Sequence, residues 1–180
     1  QASTYQGVLN NGSLALITQS SGLSSALLDW AHSRKIGFST VLSLGVETLD
    51  IDYGEILDFL VQDGATKAIL LHIHHIIDGR RFMSALRSAA RVKPVVVLKS
   101  GREINHIDGL STASSLLDSN EIFNSALSRA GVLRVQTISQ LFTAARMLTA
   151  DYRTQGNRLA IVSNGIGLGI LAVDSAHDAK

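Results

Sequence analysis

The chain contains no cysteine, which excludes disulfide bonds, thiolate catalysis and cysteine-ligated zinc, and is compatible with a reducing compartment. A charge of one sign is missing too. With 16 basic and 15 acidic side chains the net charge is +1, so there is no electrostatic footprint for nucleic acid or an anionic membrane surface. Apolar runs such as 68–71 and 166–173 fall far short of the ~20 residues that span a bilayer. No basic start followed by an apolar stretch opens the sequence, so the first residues are not read as a secretory signal. Three catalytic and nucleotide fingerprints are absent as well: the Gly-x-Ser-x-Gly elbow, the Gly-x-x-x-x-Gly-Lys-Ser/Thr loop and Gly-x-Gly-x-x-Gly. The expectation is a cytoplasmic protein with no membrane or nucleic-acid partner.

What is present is the composition of a folded domain. Apolar residues make up 46% and charged residues 17% of 180, enough for one sizeable core and a fragment of a second. Strand-like runs alternate with helical periods, the pattern of βαβ units and a parallel sheet. Strands are expected at 14–18, 38–44, 67–73, 94–98 and 132–135. Helices are expected after Gly22 with Leu23, Ala26, Leu27 and Trp30 inward, at 53–62 with Ile56, Leu57 and Leu60 inward, at 79–90, from Asn120 with Ile122, Phe123, Ala126 and Leu127 on one face, and at 138–150. The run Val95-Val-Val-Leu98 has the β-branched character of a strand covered on both faces. Gly131 stands where a helix C-cap belongs. Residues 103–118 break the rhythm with a serine-rich stretch of no clear period, long enough to need a functional reason.

One internal repeat bears on the domain count. Segment 14–31 lies without gaps over 159–176, with Leu, Ala, Gly, Leu, Asp and Ala identical at matching places. Any two βα units share an apolar pattern and a loop glycine, but the matches favour duplication. The expected organisation is therefore a domain over 1–152, a linker, and over 157–180 the first strand and helix of a second, similar domain. On this reading the chain is a piece of a longer protein.

Several constellations offer chemistry. Gln19-Ser20-Ser21-Gly22 follows a parallel strand and opens a helix, where backbone N–H groups and the helix dipole favour an anion such as phosphate. Ser20 or Ser21 would serve equally as a helix cap. Asn164-Gly165-Ile166-Gly167 repeats the arrangement. Lys99 and Arg102 flank a glycine turn at a strand's C-terminal end, where open α/β sheets bind ligands; they would hold an anion, order the next loop, or stand as solvated charges. On a strand His72 and His74 share a face and His75 points away, and no carboxylate follows at ligand spacing, so packing and hydrogen bonding are expected of them rather than metal. Glu47, Asp50 and Asp52 offer acid–base carboxylates, with Asp50 or Asp52 as a helix cap the more ordinary role.

Seven segments together resemble the succinyl-CoA-synthetase-like part of the NDP-forming acyl-CoA ligases: Leu16-Ile-Thr-Gln-Ser-Ser-Gly22, Asp29-Trp-Ala31, Ile36-Gly-Phe-Ser39, Leu49-Asp-Ile-Asp52, Ala68-Ile-Leu-Leu71, Lys99-Ser-Gly-Arg102 and Ala130-Gly-Val-Leu-Arg-Val135. The resemblance runs nearly end to end. It is read as closest to the bacterial protein lysine acetyltransferases that fuse such a region to a GNAT domain. The resemblance implies a flavodoxin-like α/β domain with helices on both faces of a parallel sheet. It also implies a longer protein carrying CoA-binding, ATP-grasp-like and GNAT domains, using acetyl-CoA or CoA and ATP or ADP, and acting on protein lysines; homo-oligomerisation is left open.

In the active ligases a histidine carries the phosphoryl group, in a Ser-His-Thr-Gly-Ser loop after the Lys-Ser-Gly-Arg segment. Thr112 falls at that place here, within Leu110-Ser-Thr-Ala-Ser-Ser115. His106 would reach it only through a shifted loop. The glutamate that the ligases carry at the end of the third strand is matched by His74. The resemblance therefore implies a ligase-like region without its catalytic pair, retaining anion binding at Ser20, Ser21, Gly22, Lys99 and Arg102, with no metal. The alternative is a working acyl-CoA ligase acting through phosphohistidine.

Overall fold

The structure, a computed structural model, describes residues 9–44, 51–101, 120–150, 156 and 158–178. Residues 1–150 and 151–180 form two separate compact units.

The first unit is built on five parallel strands: β1 (Asn11–Thr18), β2 (Phe38–Ser43), β3 (Ala68–Ile73), β4 (Val95–Lys99) and β5 (Leu133–Val135). Their order across the sheet is β2-β1-β3-β4-β5. The helices are α1 (Ser21–Ser33), α2 (Tyr53–Gln62), α3 (Gly79–Val92), α4 (Asn120–Ala130) and α5 (Ile138–Thr149). Every residue of β3 and β4 is buried, as are Leu14–Thr18 of β1, because both faces of the sheet are covered. Ala15, Ile17, Ile69, Leu71, Val95 and Val97 pack with α2, α3 and α4 on one face. Leu14, Leu16, Leu70, Val96 and Leu98 pack with α1 and α5 on the other. This is the flavodoxin-like α/β architecture expected of the sequence.

The helices begin where short polar side chains satisfy free N–H groups. Asp52 accepts from Glu55 N at 2.9 Å and Asp78 from Arg81 N at 2.9 Å. Thr137 and Gln140 form a reciprocal capping box at the start of α5. Arg81 ties the starts of α2 and α3 through Asp52 at 2.9 Å and Glu55 at 3.2 Å. At the end of α4, Gly131 has φ 74° while Val132 N donates to Leu127 O, the left-handed ending that glycine adopts without strain.

Two details depart from the periodicity. The buried stripe of α1 is Ser24, Leu27, Leu28 and Ala31; Ala26 is exposed and Leu23 and Trp30 only half-buried. Trp30 turns toward α5 and stacks on Phe142, ring centroids 4.3 Å apart, so the contact between two helices decided its direction. In α4, Phe123 and Leu127 are buried but Ile122 is exposed.

The second unit contains α6 (Ile166–Asp178), with none of its residues buried. Residues 158–163 pair with no strand among the described residues; a strand forms only with a hydrogen-bonded neighbour. The hydrogen bonds around the start of α6 have counterparts around the start of α1. Ser163 Oγ accepts from Gly165 N at 3.1 Å and donates to Gly165 O at 2.8 Å, as Thr18 Oγ1 accepts from Ser20 N at 2.9 Å and lies 3.2 Å from Ser20 O. Gly169 N donates to Gly165 O as Ser24 N does to Ser20 O. α1 and α6 begin at matching positions of the aligned segments.

Candidate functional site

The strand order reverses between β1 and β3, since the chain leaves β1 for β2 on one side and returns to β3 on the other. Open α/β sheets bind ligands outside the carboxyl ends of the strands at such a switch point. Here those ends present Thr18, Gln19 and Ser20 from β1, His72, His74 and His75 from β3, and Ser100 from β4.

Ser20 is the N-cap of α1, its Oγ accepting from Leu23 N at 3.2 Å. That leaves the N–H groups of Ser21 and Gly22 in the helix's unsatisfied first turn. Both residues are exposed, and a Cβ placed on Gly22 would meet only Ser20 Oγ, at 4.0 Å. The two readings of the loop are thus compatible: the serine caps, and the open first turn remains a place that favours negative charge.

Behind the loop, Thr18 Oγ1 lies 3.0 Å from His72 Nδ1. His72 is 6% exposed, and burial, aided by the charge of nearby His74, pushes its imidazole down to about 4. It is therefore neutral at neutral pH and acts as a hydrogen-bonding support for Thr18. Tyr53 packs edge-on against Phe82 and its hydroxyl donates to His72 O at 3.4 Å; burial raises its phenol.

Gln19 is the least anticipated member. At 8% exposure, its Oε1 accepts from His74 N at 2.6 Å and His75 N at 2.9 Å, and its Nε2 donates to His75 O at 2.9 Å. A buried carboxamide must find partners, and the only sequence signal was a glutamine directly after a buried strand.

His74 is half-buried just past the end of β3, where a sheet of this order has its switch-point crevice, its Nδ1 3.3 Å from Ser100 Oγ. Lys99 does not stand as a solvated strand-end charge. It is 5% exposed, with its ammonium over the Phe123 ring at 5.2 Å, beside Arg134 over the same ring at 5.3 Å. The alternation of β4 sends it to the α4 face, where a cation meets an aromatic ring. Asp52 serves α2 as its cap. Arg102, Thr112, His106, Glu47 and Asp50 lie outside the described residues. Among the described residues no three His, Asp or Glu side chains gather as a metal site, and no helix is long and apolar enough to cross a membrane.

Residues 11–148 match the succinyl-CoA ligase like flavodoxin domain. The chain is 39% identical over 168 residues to the alpha subunit of acetate–CoA ligase [ADP-forming] I of Pyrococcus furiosus, covering 93% of this chain and 36% of that protein. It is 32% identical over 173 residues to the 4-hydroxybutyrate–CoA ligase [ADP-forming] of Nitrosopumilus maritimus, covering 94% of this chain and 25% of that protein. The dinucleotide forming acetyl-coenzyme A synthetase 1 of Ca. Korarchaeum cryptofilum, solved in complex with phosphate and ADP, superposes with a TM-score of 0.82 at 29% identity over 96% of this chain and 37% of its own. The chain thus spans about a third or less of the length of these relatives. Nothing in them points to a lysine acetyltransferase. With this sheet order, this crevice and these relatives, the chain belongs to the succinyl-CoA ligase-like flavodoxin domain family.

Proposed function

We propose that the chain is the flavodoxin-like segment of an NDP-forming acyl-CoA ligase, an enzyme that joins a carboxylic acid to the CoA thiol as a nucleoside triphosphate is split to diphosphate and phosphate. The observation that carries this reading is the similarity, over more than nine-tenths of the chain, to acetate–CoA ligase [ADP-forming] sequences. The first turn of α1 supplies N–H groups and dipole for a phosphoryl oxyanion, and His74 and Ser100 border the same crevice. CoA and ATP or ADP are the cofactors of the whole protein.

A second reading is favoured by one feature of the sequence. Leu110-Ser-Thr-Ala-Ser-Ser115 holds no histidine, and a threonine has no ring nitrogen to carry phosphate. On that reading the segment is a non-catalytic regulatory region of a protein lysine acetyltransferase, beside CoA-binding, ATP-grasp-like and GNAT domains of the same polypeptide.

The full-length protein, given acetate, CoA and γ-labelled ATP, separates the two. Acetyl-CoA and ADP formation with acid-labile label on the protein supports the ligase. Lysine acetylation from acetyl-CoA, with no label retained and no ADP formed, supports the second reading and overturns the first.

A further inference from the structure

We propose that Gln19 is a positioning residue that holds His74 as a ligand-facing group of the crevice; the ligand's being a phosphoryl oxyanion rests on the ligase reading above.

The register carries the argument. Thr18 is opposite His72 in the β1–β3 ladder, so a continued β1 would place residue 20 opposite His74. Instead the chain turns into α1 at Ser20, and the main-chain groups of His74 and His75 lose their strand neighbour. The Gln19 carboxamide takes the place of the missing peptide, one oxygen accepting two N–H groups and one NH2 donating to a carbonyl. On the other side Ser100 N donates to Ile73 O at 2.9 Å. The segment bearing His74 is thereby held from β1 and from β4, past the end of its own strand.

The imidazole is held at one nitrogen, with Nδ1 against Ser100 Oγ. Among the described residues no partner engages Nε2, and His74 stands at the same sheet edge as the first turn of α1. A protonated Nε2 donates to an oxyanion, and its value depends on being held in place before the anion arrives. Gln19 joins the two halves, because its backbone leads directly into Ser20 while its side chain holds His74.

The test uses the full-length protein with inorganic phosphate as probe, and the variants Gln19→Met, Gln19→Asn and His74→Asn. Gln19→Met removes all three side-chain hydrogen bonds. Gln19→Asn keeps an amide one methylene too short, and serves where the methionine variant fails to fold. The first readout needs no ligand: hydrogen exchange at the His74 and His75 amides accelerates, and the His74 ring resonances move, while exchange in β3 itself is retained. The second is phosphate affinity, expected to fall roughly tenfold in either Gln19 variant. In the His74→Asn background the same Gln19 substitution should cost little more, since it acts through His74. Unchanged His74 amides and ring signals, or fully additive losses in the double variant, overturn the proposal. If the wild-type protein binds no phosphate and makes no acyl-CoA, the ligase reading fails by itself, and the His74 amide and ring signals still decide whether Gln19 positions that residue.

Discussion

Acidification from about pH 7 to about pH 5 should destabilise the first unit through one imidazole, that of His72, held neutral while buried. Its folded value is about 4 against an ordinary 6.5. A depressed histidine binds fewer protons folded than unfolded between these values, so stability rises with pH across that window, is fully present above about 6.5 and is lost as pH falls toward about 4. At pH 5 the unfolded imidazole is almost wholly protonated and the folded one about a tenth so, which costs about 2 kcal/mol; below pH 4 the cost levels off at about 3 kcal/mol. With a urea m-value of about 2 kcal/mol per molar, the unfolding midpoint should drop by about 1 M between the two conditions at constant ionic strength. In His72→Leu that component disappears, while Thr18 Oγ1 still lies 3.2 Å from Ser20 O. An equal drop in the wild type and in His72→Leu, or an imidazole titrating near 6.5 by NMR, would refute the reasoning. Asp63 contributes little in this window, because the Thr66 hydroxyl and then the Ala65 N–H lower its carboxyl further below the ordinary range, so its share is lost only at more acidic pH.

Gly37→Ala should destabilise by about 2–3 kcal/mol in thermal unfolding, since a Cβ there would lie 2.1 Å from Asn11 O; Gly64→Ala, with nothing within 4 Å, is the control, and similar melting of the two would count against the close β1–β2 approach. Lys93→Met should cost about 1–2 kcal/mol, because the ammonium donates to Leu60 O at 2.5 Å and Asp63 O at 2.6 Å at the end of α2. Amide exchange should quicken in the last turn of α2 while α3 keeps its protection; an unchanged α2 would sink the idea.

The order of elements, the sheet class and several helix ends could be read directly. The expected boundaries of 53–62 coincide with α2, and Asp52 opens α2 and Gly131 closes α4 as their positions suggested. These features depend on neighbours within about four residues, where dihedral preference and hydrogen-bond reach act locally.

The candidate site was legible in part. Ser20, Ser21 and Gly22 were named from their place between a strand end and a helix start, and His74 only from the resemblance, at the place of the ligases' glutamate; all four stand at the switch point. Gln19 as a clasp, Thr18 behind Ser20, Ser100 beside His74, and Lys99 turned to Phe123 were decided only in three dimensions. Gln19 and His74 are separated by 55 positions, and no local preference brings them together. Their pairing follows from two buried strands laid side by side with one chain turning away. Packing then assigns each side chain a face, and the cost of an unpaired buried polar group selects its partner. Within the first unit the sequence by itself determined which segments would be strands and helices and which loop would open α1; the tertiary structure determined which polar groups meet at the crevice.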